Sequence, residues 1–138
     1  MFVKKWKEIY QKNEVGITKD CNREEAEYYY FNLSIDVYNS SRETKIMRDI
    51  RVLFFDKKKL LFSITPMDDA IIRTGDSSAR FKEISVVNIP ARSVVTINMH
   101  KAMNYSDKEW GLLSFAGRVM FSYMDDKNKE KTVEILKQ

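Results

Sequence analysis

One histidine, one cysteine and two adjacent aspartate pairs are the residues of this 138-residue chain with the chemistry for catalysis or metal binding. His100 is the sole imidazole, so it alone would have to act as base in any triad, and no Cys, Asp or Glu lies at ligand spacing from it. It reads as an ordinary surface side chain that follows a strand, beside Lys101. Cys21 lies between Asp20 and Asn22, where a neighbouring carboxylate disfavours the thiolate. Asp68-Asp69 and Asp125-Asp126 fall in expected loops, where carboxylates and carbonyls can take a hard cation. Neither pair has the alternating Asp/Asn pattern of a loop site, and Lys127 and Lys129 stand beside the second, so both are read as solvated turns. Gly16, Gly75, Gly111 and Gly117 are scattered and build no phosphate-cradling loop. The chain is therefore expected to be non-enzymatic, with no catalytic, metal or cofactor residue assigned and no small-molecule substrate indicated. A hydrolase using loop carboxylates ranks third among the readings.

The elements that would position any surface are mostly strands. In "YYYFNLSIDVYNSS", residues 28 to 41, Tyr29, Phe31, Leu33, Ile35 and Val37 alternate with Asn32, Ser34 and Asp36, the period of a half-buried strand. Asn39-Ser40-Ser41-Arg42 ends it through local side-chain to backbone bonding. "MRDIRVLFFDKKK" sets Ile50, Val52 and Phe54 on one side and Arg51, Leu53 and Phe55 on the other. Lys57 to Lys59 form a charged turn, and "LLFSIT" alternates Leu60, Phe62 and Ile64 up to Pro66. Residues 66 to 80 have no clean pattern and are expected to be a long connection, functional or mobile. Strands follow around "FKEISVVNI" and "VVTINM". "RVMFSYM" and "KTVEIL" flank a hairpin loop at residues 125 to 129, with Val119, Phe121 and Tyr123 inward and Val133 and Ile135 as their neighbours.

Helices are expected in two places. Val3, Trp6, Ile9 and Tyr10, spaced by three and four, fit a short amphipathic helix over residues 2 to 13, with an edge strand as the alternative. Ser106 followed by Glu109 fits a capping box opening a short helix near 106–115. Residues 1–27 are taken as an N-terminal helix and loop packed on a domain spanning 28–138. About seven strands joined by short connections point to a mostly β, antiparallel two-sheet sandwich, with a barrel as the alternative.

The ordered set "NLSIDVYNSS", "MRDIRVLFFD", "IPARSVVTINM" and "GRVMFSYMDD" resembles immunoglobulin-like bacterial domains of uncharacterised role, over about residues 28 to 136. The resemblance implies a sandwich used for binding or as an accessory module, and it carries over no catalytic residues. The antibody-type Cys…Trp…Cys core is absent.

Composition narrows the partners. A net charge of +4, with 24 Lys and Arg against 20 Asp and Glu, is mild basicity. KKWK, KKK and KNKEK are separated in the sequence and gather into no evident stripe. A nucleic-acid, anionic-polymer or membrane-surface binder is thus the runner-up to a protein-interaction module, self-association included. The single cysteine forms no internal disulfide, and no stretch approaches the ~18 apolar residues of a membrane span. The cytoplasm is expected for the chain as given, and export or anchoring if a leader or anchor belongs to it.

Apolar surplus on outward faces marks the candidate interaction surface. If Ile50, Val52 and Phe54 face inward, then Leu53 and Phe55 face outward. By the same alternation Met120 and Met124 face outward, and the immunoglobulin-like topology that the resemblance implies sets the two strands side by side, which brings Arg51 and Arg118 near them. Cover for this patch is expected from Trp6, Ile9 and Tyr10 or from Ile71 and Ile72; otherwise it meets a partner. Tyr30 and Tyr38, left over on the polar side of their strand, complete the set.

Overall fold

In the computed structural model, which describes residues 1–73 and 79–136, alternation of apolar and polar side chains builds two antiparallel sheets. The strands are β1 (Phe2–Glu14), β2 (Ile17–Asp20), β3 (Tyr28–Asn39), β4 (Lys45–Asp56), β5 (Lys59–Ile64), β6 (Met67–Arg73), β7 (Ala79–Glu83), β8 (Val87–Ile89), β9 (Ser93–Asn104), β10 (Arg118–Met124) and β11 (Glu130–Leu136). One sheet has the order β2-β1-β3-β9-β6-β7 and the other β11-β10-β4-β5, with β8 paired to β4. A single turn of helix, α1 (Trp110–Leu113), and a 3₁₀ turn at Arg23–Glu25 complete the described elements.

The core is the predicted one. Tyr29, Phe31, Leu33, Ile35 and Val37 of β3 are buried against Ile50, Val52 and Phe54 of β4 and Val119 and Phe121 of β10. Full burial of side chains this size contributes about 1.5–3 kcal/mol each.

Several expectations are corrected. The N-terminal segment is no helix: β1 pairs with β3, Trp6 opposite Leu33 and Tyr10 opposite Tyr29. A bulge between Val3 and Lys5 resets the alternation, so the step from Val3 to Trp6 is a strand step with one extra residue. Trp6, Glu8 and Tyr10 then follow at period two, and the three-and-four spacing imitates a helix. Residues 1–27 therefore contribute β1 and β2 to the sheet. The connection expected at 66–80 contains β6 and β7, while residues 74–78 of it lie outside the described residues. "FKEISVVNI" is divided between β7 and β8. The strand total, expected near seven, is eleven among the described residues. The capping box does not form: Ser106 bonds Asn104 Oδ1 through its N–H and hydroxyl, and Glu109 stands at the position before α1.

Two local features are open to test. Glu14 pairs with Ile17 across a two-residue loop whose Val15 and Gly16 both have positive φ, +53° and +79°. This is the type I′ requirement, which suits Asn-Gly and strains a β-branched residue. Val15 is 96% exposed, so replacing it sacrifices no packing. Val15→Asn is expected to stabilise the fold by about 1 kcal/mol, read as a melting temperature higher by a few degrees.

At the far end of β3, the buried Asn39 amide donates to the carbonyls of Glu43, Ile89 and Pro90 at 2.8, 2.9 and 3.2 Å. Its Oδ1 accepts from the N–H and hydroxyl of Ser41. Asn39→Ala is expected to cost about 2–4 kcal/mol in urea unfolding, because buried carbonyls lose their donor. Asn39→Asp should be worse at neutral pH and should recover as the pH falls and the new carboxyl takes up a proton, since a carboxylate facing carbonyls binds protons more tightly folded than unfolded.

Candidate interaction surface

β4 and β10 lie side by side as expected, with Phe55 opposite Arg118, Leu53 opposite Met120 and Arg51 opposite Ser122. Arg51, Leu53, Phe55, Arg118 and Met120 therefore share the outer face of the smaller sheet. A register shift between Ser122 and Met124, where Asp49 adopts φ +51°, sets Met124 opposite Arg48. Met124 still lines one shallow groove with Arg51, Leu53 and Ser122.

This face is not bare, and side chains of its own sheet cover it. Leu53 is only 9% exposed. Arg118 lies over Phe55, its guanidinium carbon 5.6 Å from the ring centroid, and is held there by two bonds to Glu134 at 2.7 and 2.9 Å. Those bonds strengthen the guanidinium's hold on its proton. Arg51 reaches Asp49 at 3.1 Å, and the Ser122 hydroxyl donates to Glu130 at 2.9 Å. Trp6 and Tyr10 are instead in the other sheet, tilted against Phe31 and Tyr29 with centroids 5.0 and 5.1 Å apart. Ile9 sits opposite Tyr30 there. The side chains of Ile71 and Ile72 lie outside the described residues. Leu60, expected in the inward row, is exposed beside Phe55 because a bulge between Phe54 and Phe55 shifts the phase of β5.

Tyr30 and Tyr38 are on the outer face of the larger sheet, so the two halves of the candidate set are not brought together. The Tyr30 hydroxyl donates to Asn32 at 3.2 Å. Tyr38 is 57% exposed and stands opposite Val94, 54% exposed, with Phe2, 58% exposed, opposite Asp36 on the same face. Val94 and Phe2 were missed by the sequence reading; outward apolar positions on strands that also carry an inward apolar row were the available signal. Between the flanking tyrosines, Tyr29 is buried and donates its hydroxyl to Glu8 at 2.7 Å, and burial pushes its phenol far up.

His100 is neither after a strand nor exposed. It lies within β9, 9% exposed, with Nδ1 at 2.6 Å from Asp69 Oδ1 and the Phe81 ring edge-on at 4.4 Å. The Tyr30 ring centroid lies 5.9 Å from that of the imidazole. Desolvation, reinforced by Glu25 and Asp20 against the opposing pull of Lys12, pushes the Cys21 thiol up. Among the described residues no three His, Cys, Asp or Glu side chains gather into a metal site. Among the described residues no helix is long and apolar enough to cross a membrane. The lysine clusters stay apart: Lys57–Lys59 and Lys45 mark opposite ends of β4, roughly 36 Å at about 3.3 Å per residue.

Burial of Leu53 changes what its substitution tests. Leu53→Asp would desolvate a carboxylate and remove a buried leucine side chain, and it is expected to lower the unfolding free energy by about 3 kcal/mol in urea titration. Leu60→Asp, on the same face, should change it by less than about 0.5 kcal/mol.

The family comparison agrees with this architecture. A family model described as the YopI Ig-like domain matches residues 1–136. The SPbeta prophage-derived uncharacterized protein YopI of Bacillus subtilis strain 168 is 27% identical over 112 residues, 78% of this chain and 60% of that relative, so the chain spans less than two thirds of its length. A crystal structure of a protein from Archaeoglobus fulgidus aligns over 99% of this chain and 98% of its own at 11% identity and a TM-score of 0.41. The family match runs through β1, which the sandwich needs as a strand, and on to the end of β11: this chain belongs to the YopI Ig-like domain family.

Proposed function

We propose that this domain is a non-enzymatic protein-interaction module whose contact surface is the Phe2, Tyr38 and Val94 corner of the larger sheet. A sandwich fold hosts many functions, so the reading must rest on the surface itself. One observation carries it: Tyr38 and Val94, register partners on β3 and β9, are each more than half exposed, and Phe2 lies one pair along on the same side. Around them that face is polar and tied to itself, Ser34 to Asn98 at 2.7 Å and Thr96 to Asp36 at 2.6 Å, while farther along it carries Tyr30, His100 and Phe81. An aromatic pair with a β-branched neighbour in a polar frame is the composition that interface cores favour, and its burial contributes about 25 cal/mol per Å² before association costs. The outer face of the smaller sheet supports the reading less, because Arg118, Arg51 and Ser122 already cover it.

Sedimentation over a concentration series, together with affinity capture using the tethered domain, tests the surface in wild type and in a Tyr38→Asp, Val94→Lys double variant. The expected result is loss of concentration-dependent mass or of captured species in the variant, with a melting temperature within a few degrees of wild type. Mass and captured species unaltered by the double variant would overturn the assignment.

A further inference from the structure

Where β4 begins, the two sheets part to leave a mouth. The β10 ladder on β4 stops at Arg48, and Lys45–Met47 pair with β8 instead. The opening is a cleft of about 310 Å³, at the lower end of the ~300–1,000 Å³ typical of small-molecule sites. Val37, Met47, Ile89 and Tyr123 line it, the first three being buried core residues seen from outside. Burial, and then Asp125, push the Tyr123 phenol up, leaving a neutral hydroxyl.

Four lysines surround this apolar floor, and strand alternation aims two of them at it. Lys45 lies two residues before Met47 on β4, and Lys131 is the register partner of Tyr123 on β11. Lys127 and Lys129 come from the adjoining hairpin. The two aspartates in the same lining offset part of this charge, Asp126 through its ion pair with Lys45 and Asp125 through the nearby Lys131 and Lys129, and four lysines against two aspartates leave a positive rim. Asp125 spends Oδ1 on the N–H groups of Lys127 and Lys129, at 2.8 and 2.9 Å, which holds its carboxyl below the usual range. Asp126 stands 4.0 Å from Lys45. Among the described residues, Lys127, Lys129 and Lys131 have no carboxylate within ion-pair distance.

We propose that this mouth binds a small anion with an apolar body, an alkyl or aryl carboxylate whose charge meets the lysine rim while its hydrocarbon lies on Met47, Ile89 and Tyr123. The two parts of the site select together: the floor rejects a bare inorganic anion, and the rim rejects an apolar cation. Tyr38, one residue of the contact corner, also lines the mouth, whereas Phe2 and Val94 do not.

Decanoate below its micelle concentration is the probe, followed by amide chemical shifts. Saturable shifts confined to Met47, Ile89, Tyr123 and the hairpin at 125–129 are expected, with none from acetate or decyltrimethylammonium. Lys129→Glu with Lys131→Glu, both exposed and free of core packing, should weaken decanoate binding roughly tenfold at an unchanged melting temperature. Absence of saturable shifts, equal binding of the cation, or binding that the double variant leaves intact would each overturn the proposal.

Discussion

The inward row of β3 is the constraint on which everything else rests. Its five alternating side chains, Tyr29 to Val37, are almost wholly withdrawn from water, and twelve register pairs join β3 to β9 on one side while β1 closes on the other. Across the sandwich, rings continue the row: Tyr29 and Phe31 approach Phe54 at 6.5 and 6.2 Å, and Phe54 stacks on Phe62 at 4.6 Å. A one-residue slip of β3 would turn those rings to solvent and bury Asn32, Ser34 and Asp36, so its register is strongly specified. The opening triplet of tyrosines is thus divided by geometry, its middle member a core residue and its outer members surface ones.

Bulges decide what that constraint leaves outside. Each inserts one residue and exchanges the two faces of everything that follows. At Val3/Lys5 the exchange turns an apparently helical spacing into a strand that carries Trp6 and Tyr10 into the core. At Phe54/Phe55 it sends Leu60 out while keeping Phe62 in. At Ser122/Met124 it lets Ile50 and Met47 both face inward, and the β4–β10 ladder ends with the Met124–Arg48 pair, beside the mouth.

The consequence for function is a change of emphasis from one sheet to the other. The apolar strip on β4 and β10 is screened by side chains of its own sheet, chiefly Arg118 fixed by Glu134, so apolar content there became packing. Tyr38, Val94 and Phe2 have no such cover, because their sheet neighbours are short polar residues bonded to one another. The basic residues likewise gain meaning from position: scattered in sequence, three from one hairpin and one from the start of β4 converge on an apolar floor.

By itself the sequence determined the two-layer β architecture and the inward rows of β3, β4 and β10. Each of these depends on alternation over neighbouring residues, which the chain carries in its order. Only the tertiary structure decided that residues 2–14 are a strand, that Leu53 is buried, that His100 is packed against Asp69 and Phe81, that Phe2, Tyr38 and Val94 are exposed on one face, and that the cleft exists. These depend on which strand lies beside which and on where a bulge interrupts the pairing. A side chain's cover comes from residues distant in sequence, and no local period records them.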